Sequence, residues 1–236
     1  MFKCRIADLT IEIHNVYPYV YEKCKDYLCR DEQNSDMVVS VTDEEIEQEG
    51  AGADVRKEIL EYLAIYRKIC ERLAAFDGFL IHGVALDVCG EGYIFCAPSG
   101  TGKTTHMGYW AELLGSNMTV VNGDKPIIRI FDGVPVVYGT PWCGKEGLNK
   151  NTSVALRNLC FIHRSEQNST KEIDTDRAFA QLMSQIQLPD TPTEMITLME
   201  MVDTFLSSCK KYDIFCNMSI DAASVAYNTI SKGDSK

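Results

Sequence analysis

A chain of 236 residues with 45% hydrophobic composition carries enough apolar material for one large α/β domain, or for a main domain with a smaller flank. Its 23 basic residues against 34 acidic ones give a net charge of −11, which excludes a broad basic face for nucleic acid but leaves room for a local phosphate pocket. No apolar run approaches the roughly 20 residues of a membrane-spanning helix. The opening stretch, MFKCRIADLTIEIHN, alternates apolar and polar residues and lacks the apolar block of a signal peptide. The expectation is a cytoplasmic protein whose ten cysteines, none in a CxxC pair, are reduced thiols.

In chain order, residues 1–42 read as a strand, a helix-like stretch from Tyr17 to Leu28 and a second strand from Met37 to Val41. The acidic run Asp43 to Glu49 reads as solvated loop, and Gly50 to Ala53 as a flexible joint. Asp54 is placed to cap a helix running to about Phe76, with Ile59, Leu63, Tyr66, Cys70 and Leu73 on one face. Residues 1–76 are thus expected to form a flanking lobe of strands plus helix, and 77–236 the main domain.

From Phe79 the pattern turns to short β-rich runs: Phe79 to Val88, a turn at Cys89-Gly90-Glu91-Gly92, then Tyr93 to Cys96, which together predict a hairpin. A helix from Lys103 to Leu114 follows, then strands at Met118 to Val121, Pro126 to Phe131 and Val134 to Tyr138, the last two around an Asp132-Gly133 turn. Beyond a Gly-rich loop, Gly139 to Lys150, come a strand at Val154 to Ile162 and helices near Thr175 to Gln187 and Thr193 to Cys209, split by Pro189 and Pro192. A strand at Tyr212 to Cys216 and a helix from Ile220 to Ile230 complete the reading. The fold class is α/β with a mixed, largely antiparallel sheet.

Between the strand ending at Cys96 and the helix opening at Lys103 lies Ala97-Pro98-Ser99-Gly100-Thr101-Gly102-Lys103-Thr104, a Walker A pattern with Ala97 at the first glycine position. Glycines in such a loop let successive backbone N–H groups turn toward phosphate oxygens. The lysine reaches the terminal phosphates, and the hydroxyl of Thr104 suits Mg²⁺. Ser99, Gly100, Thr101, Gly102, Lys103, Thr104 and Thr105 are therefore the candidate cofactor-binding residues, for ATP with Mg²⁺. A second metal ligand is expected at the end of an apolar strand, and Asp124, closing Met118-Thr119-Val120-Val121-Asn122-Gly123-Asp124, supplies it.

The stretch His82-Gly83-Val84-Ala85-Leu86-Asp87, followed by a glycine turn and this loop, resembles the strand before the P-loop in HPr kinase/phosphorylase. Ser99 to Thr105 is similar to the phosphate loop of ATP-dependent phosphoenolpyruvate carboxykinase. The likeness covers residues 79 to about 131 and implies the carboxykinase-like fold of the HPr kinase C-terminal domain, with 77–236 as its P-loop, nucleotide-binding unit. It also implies a role for His82 at the transferring phosphate or the metal, and carries the expectation of a homo-oligomer. HPr kinases have two adjacent aspartates after the next strand, the first a base and the second at the metal. Here Gly123 stands at the first, so His82, Asp124 or Glu146 must take the acceptor's proton.

The loop Tyr138 to Gly147 resembles that of single-domain HPr kinase-related proteins. It offers a lid in which Lys145 binds phosphate, Glu146 orients an acceptor and Trp142 supplies either a flat face or a core plug. Arg129, Arg157 and Arg164 are candidates for stabilising developing charge, Asp87 matches the family strand pattern, and His106 faces nucleotide or solvent. The leading function is an ATP- and Mg²⁺-dependent kinase acting on a hydroxyl of a small molecule, peptide or protein. The alternatives are a regulatory nucleotide-binding module without turnover, which Gly123 motivates, and a carboxykinase-like enzyme, for which the chain is short.

Overall fold

The computed structural model describes residues 1–30, 34–50, 54–189 and 191–232. The first stretch, expected as one strand, is a hairpin of β1 (Phe2–Ile6) and β2 (Leu9–His14). Ala7 and Asp8 both adopt left-handed φ, 51° and 58°, the two-residue turn that matches the twist of an antiparallel pair. β3 (Met37–Ser40) adds parallel to β2, closing a three-stranded sheet. Between them run α1 (Pro18–Lys23), with proline at its first turn, and a 3₁₀ turn at Lys25–Tyr27.

The acidic run is helical, not loop: α2 spans Asp43–Gly50. Thr42 starts it with a reciprocal capping box, Thr42 N–H to Glu45 Oε2 at 2.8 Å and Glu45 N–H to Thr42 Oγ1 at 3.3 Å. Of the expected joint, Gly50 is the last helical residue and 51–53 lie outside the described residues. Asp54 caps nothing, because α3 (Lys57–Arg72) begins three residues later with Arg56 as its N-cap, whose side chain makes no capping bond. The buried residues of α3 are Leu60, Glu61, Ala64, Ile65 and Ile69, so that Ile59, Leu63, Tyr66 and Cys70 of the expected face are only half-buried, while Leu73 is buried as expected, in the 3₁₀ turn that follows.

The expected strand Phe79 to Val88 is broken into β4 (Gly78–Leu80) and β5 (Val84–Val88), with His82 in the gap. The chain continues through β6 (Glu91–Cys96), α4 (Lys103–Leu114), β7 (Met118–Asn122), β8 (Ile127–Phe131) and β9 (Val134–Tyr138). It then runs through β10 (Ser153–Arg164), β11 (Ser169–Glu172), α5 (Thr175–Leu182), α6 (Pro192–Ser208), β12 (Lys210–Cys216) and α7 (Ile220–Lys232). Strands β4 to β12 form one curled sheet in the order β4-β8-β9-β10-β6-β5-β7, with β12 also on β10 and β11 on β12. Among the described residues only β10–β6 and β10–β12 are parallel within it, so the mixed, largely antiparallel sheet is present.

Side-chain alternation explains the layers. Along β6 and β10, Ile94, Cys96, Leu159 and Phe161 face the core under α5 and α6, while Tyr93, Phe95, Cys160 and Ile162 face the core under α4 and α7. A third cluster joins the N-terminal sheet and α3 to Leu80, Ile127, Tyr138 and Trp142 of the main sheet. Polar ties reinforce that seam: Arg129 donates to the carbonyls of Phe76 and Ala7, both at 2.9 Å, and Tyr138 bonds Asp8 at 2.6 Å. Among the described residues no helix is long and apolar enough to cross a membrane.

Candidate functional site

β6 lies inside the sheet and delivers residue 97 to a loop that α4 leaves at residue 103. Gly100 and Gly102 sit at φ 76° and 117°, where a side chain would be strained although nothing occupies the space around either. Lys103, only 9% exposed, folds back so that Nζ donates to the Ala97 carbonyl at 2.7 Å. Burial lowers its pKa, and the nearby Cys96 thiol and Asp124 carboxyl work the other way. Arg164, at the end of β10, donates to the carbonyls of Thr101, at 3.1 Å, and Gly100. It braces the loop from behind, a role the sequence reading did not give it.

The opposite wall is assembled from the break between β4 and β5 and the end of β7. His82 is held by its own N–H on the Gln185 carbonyl at 2.7 Å, and Gly83 donates to the Asp124 carbonyl at 2.9 Å. Asp124 follows an Asx turn in which Asn122 Oδ1 accepts from the N–H groups of Asp124 and Lys125, at 2.9 and 2.7 Å. Asn122 in turn donates to the Thr140 carbonyl and hydroxyl, both buried. His82 Nε2 then lies 3.3 Å from Asp124 Oδ1, and Lys125 Nζ pairs with Oδ2. Burial alone would push the Asp124 carboxyl up, but His82 and Lys125 outweigh it and hold it down at about 2.

Gly123 has a structural cause. Its N–H donates to the Leu148 carbonyl at 2.8 Å, and a Cβ there would stand 3.1 Å from that oxygen and 3.3 Å from the Cys143 carbonyl. The segment running through Cys143 and Leu148 fills the space a longer side chain would need. Within the same segment Gly144 and Gly147 take left-handed φ, presenting Lys145 and Glu146 to the cleft.

These walls enclose a cavity of about 730 Å³. His82, Ser99, Gly100, Gly102, Lys103, Thr104, Thr105, Asp124 and Glu146, chosen from sequence, all line it. Thr101 faces the other side of the loop, toward a second cavity. Lys125 and the Asn122–Thr140 network were missed, although Asn-Gly-Asp is itself an Asx-turn signal.

Other candidates are committed elsewhere. Trp142 is 3% exposed, stacked on Tyr62 at 5.8 Å with Tyr66 at 5.1 Å, so it plugs the core and is no lid face. Arg129 ties the flank, Arg157 is exposed on β10, and the Asp87 carboxylate accepts the Gly90 N–H at 2.8 Å to close the hairpin turn. His106 faces neither the 730 Å³ cleft nor solvent but lies buried beside Trp110.

Among the described residues no group of three His, Cys, Asp or Glu side chains could hold a metal. The side-chain oxygens that line the cleft are the carboxylates of Asp124, held ionised, and Glu146, and the hydroxyls of Ser99, Thr104 and Thr105. That hard donor set fits Mg²⁺, which keeps most of its waters and takes further oxygens from a phosphorylated ligand.

No protein-family model matches the chain, and no curated protein sequence matches it. A solved structure, the Hpr(Ser) kinase/phosphatase from Coxiella burnetii, superposes with a TM-score of 0.37 at 9% identity, covering 66% of this chain and 98% of that one. A likeness that distant carries no weight in assigning a function.

Proposed function

We propose that the protein is an ATP- and Mg²⁺-dependent phosphotransferase of the HPr kinase-related type, acting on a hydroxyl of a small molecule, peptide or protein. One observation carries this reading: a glycine loop, the lysine at its helix and a histidine–aspartate pair converge on one cavity. Lys103 is poised to exchange the Ala97 carbonyl for phosphate oxygens, and a polyanion offsets the burial that works against its charge. Asp124 and Thr104 would hold Mg²⁺, which supplies charge neutralisation on the transferred group. Asp124 also orients His82 through Nε2, so that Nδ1 keeps a lone pair able to take a hydroxyl proton. Glu146, on its glycine-flanked loop, is the other group able to do so.

The closure of the Gly123 position favours a second reading, a nucleotide-binding regulatory module without turnover. A crystal structure with a non-hydrolysable ATP analogue and Mg²⁺, paired with an assay of ADP formation across hydroxyl acceptors, decides the matter. The kinase reading requires the terminal phosphate within about 3 Å of Lys103, with His82 or Glu146 facing the acceptor side, and Mg²⁺-dependent ADP formation with at least one acceptor. Tight binding without turnover on any acceptor selects the regulatory module. An analogue bound away from the loop overturns both.

A further inference from the structure

β6 and β10 run parallel with Cys96 opposite Phe161, so β10 continues three residues past the end of β6, and its last residue, Arg164, flanks the loop that β6 feeds. That residue is firmly mounted. β10 is paired on both sides, Arg164 stands in register with Cys216 of β12, and the next N–H, of Ser165, donates to the Cys216 carbonyl at 3.0 Å. From this mount the exposed Arg164 side chain reaches two successive loop carbonyls, Thr101 from Nε at 3.1 Å and Gly100 from Nη2. The guanidinium fork is rigid and planar, so holding both at once fixes both peptide units.

A trans peptide unit is flat, with its C=O and N–H on opposite edges. Turning the Gly100 and Thr101 oxygens toward Arg164 therefore turns the N–H groups of Thr101 and Gly102 away from it. Arg164 borders the cavities on the far side of the loop and not the 730 Å³ cleft, so the N–H edges are left to the cleft. Thr101 N–H closes onto the Pro98 carbonyl at 3.2 Å, and no backbone hydrogen bond among the described residues uses the Gly102 N–H. The glycines do not enforce this orientation. Neither has a Cβ, and no atom stands within 4 Å of where one would be, so a turned-over peptide meets little steric resistance. Turned over, it would aim a carbonyl oxygen at a polyphosphate.

Resting on the phosphate-binding function proposed for the cleft, we propose that Arg164 is a positioning residue: it holds the Gly100 and Thr101 carbonyls out of the cleft and so sets the loop's affinity for polyphosphate. It acts through the loop and touches no phosphate itself. The charge-stabilising role expected from the sequence would need Arg164 in the cleft, which it does not line.

Calorimetric titration of the whole chain with Mg-ATP and with the Mg²⁺ complex of inorganic tripolyphosphate, which has no nucleoside, tests this. Arg164→Ala should weaken both ligands by about tenfold or more, the loss expected when hydrogen bonds to a charged group are removed. Arg164→Lys, which keeps the charge but not the fork, should recover only part of that loss. If thermal melting shows Arg164→Ala unfolded, Arg164→Lys decides alone, and should bind both ligands more weakly than the wild type. Wild-type affinity for tripolyphosphate in either folded variant overturns the proposal. So does a loss confined to Mg-ATP, which would put Arg164 against the nucleoside. A wild type that binds Mg-ATP alone also overturns it, because the affinity then comes from the nucleoside. A wild type that binds neither ligand overturns the phosphate-binding function, and this inference with it.

Discussion

Asp124 shows how neighbouring groups can defeat burial. Its folded value of about 2 lies below the ~3.9 of a free aspartate, so ionisation favours the folded state. That stabilisation is complete above about pH 4 and is lost as pH falls through about 2. Because the carboxylate is partly solvated, screening leaves on the order of 1 kcal/mol. Urea melts should therefore show Asp124→Asn less stable than the wild type by about that amount at pH 7, with the gap narrowing below about pH 4 and vanishing only as pH falls through about 2. A gap that widens on acidification would contradict the assigned pairing with His82 and Lys125. Gly123 makes a separate point at this scale. The departure from the paired aspartates of HPr kinases was readable from the sequence, but its cause was not, because the Leu148 carbonyl that closes the space comes from 25 residues downstream.

At the scale of elements, what could be read in the sequence was whatever local chemistry sets. The Cys89-Gly90 hairpin, the loop opening α4 and the Asp132-Gly133 turn all stand where turn residues placed them, with Cys89, Gly90, Asp132 and Gly133 at positive φ. Thr42 and Glu45 have the spacing of a capping box in the sequence, but a run of carboxylates resembles loop until Lys68 and Arg67 of α3 are there to pair with it. The partners of β10 were not legible, because its parallel pairing with β6 is set by which faces meet α4 and α5.

Two substitutions test the frame around the site. A Cβ on Gly139, at the end of β9, would overlap the Lys150 carbonyl and stand 2.6 Å from that of Val121, closer than anything at Gly123. Gly139→Ala should thus cost about 3 kcal/mol or more in a denaturant melt, and Gly123→Ala about 1–2 kcal/mol. The reverse order would mean the 139–150 crossing is wrongly placed. Trp142→Ala should cost about 3–5 kcal/mol as a core truncation, whereas Lys145→Ala and Glu146→Ala should leave stability within about 0.5 kcal/mol. Equal, small effects at all three would restore Trp142 to the mobile loop.

Across the whole molecule, thiols report the packing. All ten cysteines are unbridged, Cys89 alone is exposed, and burial drives Cys96 and Cys209 up to about 12. A disulfide-exchange dye at pH 8 should modify Cys89 rapidly, Cys29 and Cys70 slowly, and the rest only in denaturant. Fast reaction of many thiols would indicate a looser core than the three apolar clusters describe.

With a net charge of −11, this molecule can attract a polyphosphate only where local groups reverse the field. Lys103, Lys125 and Lys145 line the cleft where the loop, Asp124 and His82 also meet. Titration of Mg-ATP into the wild type and Lys103→Ala, with melting curves to show that both fold, measures this directly. The lysine's loss should weaken binding by about 2–5 kcal/mol, at least about 30-fold. Equal affinity in the two proteins, or no binding by the wild type, would contradict the account.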